Sequence, residues 1–194
     1  MKPRFDESKA IQALDYFASR ANGRKITKLV VLKLVYLADR YHLRKYGRTV
    51  LGDEYRAMKY GPVAVHTKKL IERMAETGGD SGGFLAVENI PGDRIAIRPL
   101  LTPDVREFSE TDVEAMDCAL KQLFLHDSIV AFTHLFPEWK KHEAALERGA
   151  PSVRMDYLDF FLPCGVPGAE YCDASENLVA MSRQDYQEDL AWSL

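Results

Sequence analysis

Residues 29–37 read LVVLKLVYL, a run in which one lysine is the sole break in otherwise apolar chemistry. The run follows Thr27, whose hydroxyl is of the kind that caps a helix start, and the pattern continues to Tyr46 before Gly47, a residue suited to ending one. A helix that is apolar on nearly every side is stable only when other elements surround it. The rest of the chain must therefore wrap around this segment, and 194 residues suffice for one such core but are short for two. Arg40, Tyr41, His42, Arg44, Lys45 and Tyr46 give its later turns a basic, aromatic character that predicts an end emerging at the surface.

The flanking segments supply the wrapping. Ile11, Leu14, Phe17, Ala18 and Ala21 recur at helical spacing over about residues 8–21, with Asn22 and Gly23 as the stop. In GDEYRAMKYGPV, residues 52–63, EYRAMKY suits a short extended segment and Gly61-Pro62 suits a helix start, so a helix is expected over about 62–76. FLAVENI and RIAIRPL flank PGD and predict an antiparallel hairpin. Ser109 with Asp112 forms a capping box for a helix to about His126; shorter helices follow from about Ser128 toward Pro137 and over about Glu138–Arg148. After the Pro- and Gly-rich break LPCGVPGAEYC, Asp173 and Glu176 suggest a capping box for a last helix to about Leu190. The expected fold is mainly α with a minor antiparallel β hairpin, an α+β chain in one compact multi-helix domain over residues 1–160. Residues 161–194 form a C-terminal extension with an acidic helix.

Charge is distributed unevenly. Residues 20–73 hold fourteen Lys and Arg against four acids, a local +10, which leaves the remainder at -13. A patch of one sign steers partners of the other, while the plainer reading is a solvated face of basic helices. From residue 170 onward there are six acids and one base, Arg183. That segment either recognises a basic partner through Tyr186, Leu190 and Trp192 or docks on the basic part of its own chain. Cys118, Cys164 and Cys172 lack the spacing of a secreted disulfide framework, and neither a signal-peptide core nor a membrane-length apolar run occurs, so a soluble cytoplasmic protein is expected.

Catalytic motifs fail on context. GDSGG at 79–83 would make Ser81 a protease nucleophile, but a triad needs a His base and an Asp orienter on a suitable scaffold, and the residues before it are helical. His142-Glu143 is followed by Leu146 where a zinc HExxH motif needs its second His. His134, Glu138 and His142 would align on one helix face, but Pro137 interrupts them; Cys164 and Cys172 lack a second pair. No phosphate-binding glycine motif is present. A non-enzymatic protein without cofactor or metal is expected. Nucleic-acid binding through the basic, aromatic end of the central helix is a more serious competitor, although no helix-turn-helix signature stands out.

KLVYLADRYHLRKYG followed by GDEYRAMKYGPV, and later THLFPEWK, resembles the Panacea domain of the SocA-like antitoxin family, also found in phage-associated proteins. The resemblance covers about residues 8–160. Its matching positions include Lys33, Tyr36, Asp39, Asp53, Tyr55, Ala57, Tyr60, Gly61, Pro62, Trp139 and Lys140. It implies a mainly helical antitoxin that neutralises a cognate toxin by protein contact. Alternatives are a phage or mobile-element regulator that binds nucleic acid or a host protein, and a proteolysis adaptor. On this reading Tyr36, Asp39, Tyr55, Ala57, Gly61, Pro62 and Trp139 serve the fold. Lys59, Tyr60, Arg44, Arg48, Tyr186 and Trp192 are the candidate partner-binding residues.

Overall fold

In a computed structural model, which describes residues 4–78, 83–92, 94–165 and 174–192, the apolar run forms the middle of helix α2 (Lys28–Tyr46). Helix α1 (Glu7–Ser19) and strand β1 (Ile26–Thr27) precede it. After it come β2 (Tyr55–Met58), β3 (Gly61–Ala64), α3 (Val65–Glu76), β4 (Leu85–Ile90) and β5 (Arg94–Pro99). Then follow α4 (Glu110–Leu125), α5 (Ile129–Thr133), α6 (Pro137–Lys140), α7 (Glu143–Glu147), β6 (Val153–Arg154) and α8 (Glu176–Ala191), with 3-10 turns at Val105–Glu107 and Tyr157–Phe161. The architecture is mainly helical with two small antiparallel sheets, ordered β1-β5-β4 and β3-β2-β6.

Helix α2 is central because its sequence allows nothing else. Thr27 caps its start by accepting from Val30 N, and Gly47 ends it at φ 70°. Every residue from Val31 to Arg40 is buried, and α1, α3, α4, α5, α8 and β3 pack around it. The expected hairpin is β4–β5, with Val87 opposite Ile97. The Ser109–Asp112 capping box opens α4 as the sequence indicates.

Several expectations are corrected. The basic end of α2 emerges only in part: Tyr41, Lys45 and Tyr46 are half-buried, but Arg40 and His42 are fully buried, and Arg44 is only 6 % exposed. Later chain segments supply their partners. Glu138 accepts from Arg40 Nε at 2.5 Å, Arg44 donates to the carbonyls of Phe160 and Leu162, and His42 bonds the Arg48 carbonyl and the Thr111 hydroxyl. Gly61 and Pro62 do not start a helix; they lie in β3, with Ala57 opposite Pro62, and α3 begins at Val65. Ala64 at its N-cap has no capping oxygen, and that role falls to Asp53, which accepts from His66 N, Thr67 N and the Thr67 hydroxyl at 2.7, 2.8 and 2.6 Å. The helix expected over Glu138–Arg148 is two short ones, α6 and α7, separated at Lys141 and His142.

Helix α8 is capped by Ser175, which accepts from Leu178 N, while Asp173 of the expected box lies outside the described residues. Its buried stripe, Val179, Ser182 and Tyr186, packs on α2 and on the turn at Tyr157–Phe161, where the Tyr186 ring meets Tyr157 and Phe161. Ser81 and Cys172 also lie outside the described residues. Among the described residues no helix is long and apolar enough to cross a membrane.

Candidate partner-binding surface

The motif residues converge on the β2–β3 hairpin. Asp39, buried in α2, accepts from Val50 N and Leu51 N at 2.8 and 2.9 Å and from the Tyr55 hydroxyl at 2.9 Å. Burial pushes its carboxyl up to about 7, against the pull of those donors. Tyr157 donates to the Asp53 carbonyl, which holds the chain just before β2. On the other side, Tyr36 donates to Glu138 at 2.6 Å, and the Tyr36 ring packs edge-on against Tyr55, Phe136 and Phe160. Tyr36, Asp39, Tyr55 and Ala57 are all buried at 2 % exposure or less. These contacts join α2, the hairpin and α6, which are far apart in sequence, and they are contacts of the fold.

What the hairpin presents outward is its turn. Lys59 and Tyr60 connect β2 to β3 and are exposed, with Tyr60 at 59 %. On one flank of the turn, Trp139 Nε1 donates to the Met58 carbonyl at 3.0 Å; on the other, Lys33 Nζ donates to the Pro62 carbonyl at 2.7 Å. Gly61 sits between them at φ 95°, where a β-carbon would come within 2.9 Å of Lys33 Nζ and of Thr133 Oγ1 and 3.1 Å of His134 Cδ2. The His134 ring in turn stacks on Trp139, with centroids 4.0 Å apart and planes 6° from parallel. Glycine is required here on both conformational and steric grounds.

Lys33 is the most unusual of these groups. Its side chain is fully buried, and burial lowers its ammonium to about 7. Burial also lowers the His134 imidazole, and Lys33 adds to that effect. Lys33 and Asp53 lie in the motif and Glu138 in its later segment, but their tasks depend on contacts no local pattern encodes.

The other candidate residues fall into different places. Arg44 and Tyr186 are buried, and Tyr186 lines a cleft of about 1060 Å³ together with Phe5, Tyr55, His66, Arg154 and Tyr157. Arg48 is exposed but bonds Asp112, Ser109 and Thr111. Trp192 is 90 % exposed at the end of α8. Much of the +10 segment is neutralised from within: Lys28 and Lys68 pair with Glu72, Lys45 with Glu114, Arg48 with Asp112, Arg56 with Glu54, and Arg73 with Glu7. Among the described residues no group of three or more His, Cys, Asp or Glu could hold a metal ion.

A family model described as the Panacea domain of SocA-like antitoxins matches residues 31–140. The chain belongs to that family. No curated protein and no solved structure matches it. The Panacea match begins within α2 and ends at Lys140, so it contains the hairpin and both residues that pin its turn. Tyr157, Phe160, Phe161 and α8 lie beyond it.

Proposed function

We propose that this chain is an antitoxin that neutralises a cognate toxin by direct protein contact. The observation that carries the reading is the Panacea match over residues 31–140. A physical argument supports it: the motif residues Tyr36, Asp39, Tyr55 and Ala57 are buried in the fold, whereas Lys59 and Tyr60 at the hairpin turn are exposed to a partner. The nucleic-acid alternative drew on the positive segment, and that segment is largely buried or paired within the molecule.

Co-expression with the protein encoded by the adjacent reading frame, followed by size-exclusion chromatography, tests the proposal. The expected result is one complex at micromolar concentration and growth restored in cells that express the toxic protein. Separate elution together with unrelieved toxicity would reject direct neutralisation.

A further inference from the structure

The Lys59–Tyr60 turn carries the strongest further inference. A large aromatic side chain exposed at 59 % on a hairpin turn contributes little to folding, yet the chain invests heavily in fixing the backbone beneath it. The carbonyls on either side of the turn are held by separate side chains, Trp139 from α6 and Lys33 from α2. Lysine is almost never fully buried unless paired, because desolvating an ammonium is costly. Here Lys33 donates to the Pro62 carbonyl, directly beyond the turn. Gly61 then lets the backbone close onto Lys33, Thr133 and His134. Rigid presentation of this kind lowers the ordering cost of binding.

The chemistry of the tip is cationic and aromatic. Lys59 Nζ lies 5.7 Å from the Tyr60 ring centroid and forms no salt bridge among the described residues. We infer that Tyr60, beside Lys59, is the anchor of the toxin interface, and that it enters an apolar pocket rimmed by carboxylates on the toxin. The inference rests on the antitoxin reading and deepens it by assigning a contact and a partner chemistry. Lys33 and Trp139 are positioning residues: they set the tip without touching the partner.

The test measures affinity of the full chain for the protein encoded by the adjacent reading frame, by titration calorimetry at low and high sodium chloride. Tyr60→Ala is expected to weaken binding about thirtyfold, as loss of an aromatic anchor does, while Tyr60→Phe keeps most of it. Lys59→Glu is expected to weaken binding further and to reduce its dependence on salt. Both sites are exposed, so the melting temperature should stay unchanged; Lys33→Met, if folded, should weaken binding through a loosened tip. Unchanged affinity in Tyr60→Ala and Lys59→Glu alongside a tight wild-type complex would overturn the inference and leave the antitoxin reading standing. Loss of binding in Trp192→Ala alone would likewise overturn it, in favour of α8. If the wild-type chain does not bind at all, the antitoxin reading and the inference fall together.

Discussion

At the scale of single residues, Lys33 shows how one side chain couples the core to the surface. Its acceptor is the Pro62 carbonyl, with no carboxylate salt bridge among the described residues, and burial lowers its ammonium to about 7, far below the usual lysine value. The folded chain therefore binds fewer protons than the unfolded chain between about pH 7 and about pH 10, so this group's contribution to stability rises with pH across that window. Lys33→Met removes the titrating group while keeping a similar shape. The expected outcome is a wild-type unfolding free energy that gains on the variant's as pH rises, by on the order of 4 kcal/mol over the window. Urea unfolding of both proteins at several pH values checks this; parallel curves would show that Lys33 is solvated in solution.

At the scale of elements, the helices were legible and their connections were not. Periodicity, Thr27, Gly47 and the Ser109–Asp112 box located α2 and α4, because their signals lie within a few residues of the ends they define. Gly61-Pro62 reads locally as a helix start because proline suits that position, and nothing local reveals that a strand pairs there instead. The two-residue strands β1 and β6 exist only through their partners β5 and β2. Of the candidate site, Lys59 and Tyr60 are legible as candidates but not as a turn, since local pattern runs them on as extended chain, and the burial of Arg44 and Tyr186 is hidden because it depends on the Tyr157–Phe161 turn. The start of α3 is the clearest case, since its cap, Asp53, lies on the far side of the hairpin. Asp53→Ala strips the acceptor from two amides and a buried hydroxyl, and is expected to cost about 2 kcal/mol or more, read as a lower urea midpoint. Asp53→Asn keeps an acceptor oxygen and should recover part of that loss. Equal stability of the alanine variant and the wild type would mean that water caps the helix equally well.

At the scale of the whole molecule, the uneven charge along the sequence resolves into internal pairing. The cations of residues 20–73 meet carboxylates brought in from α1 and α4 as well as from their own segment: Arg73 meets Glu7, Arg48 meets Asp112 and Lys45 meets Glu114. Arg40 is consumed in the core by Glu138, and Arg44 by the carbonyls of Phe160 and Leu162. A linear stretch of +10 is thus not a surface of +10, which is why the sequence overstated the case for a polyanion partner. Arg20, Arg24, Lys25, Lys59 and Lys69 remain exposed without a salt bridge among the described residues, but Arg20 lies over the Tyr16 ring and Arg24 donates to the Leu123 carbonyl, which leaves three lysines to meet a phosphate backbone. Binding to nucleic acid scales with the number of phosphates neutralised and weakens steeply as salt releases the advantage of counterion displacement. The expected outcome is binding of a random-sequence duplex weaker than about 10 µM at physiological salt, with a shallow salt slope. Fluorescence anisotropy over a range of sodium chloride concentrations measures both quantities. A submicromolar affinity with a steep slope would mean that the internal ion pairs open in solution and would restore nucleic acid as the leading partner.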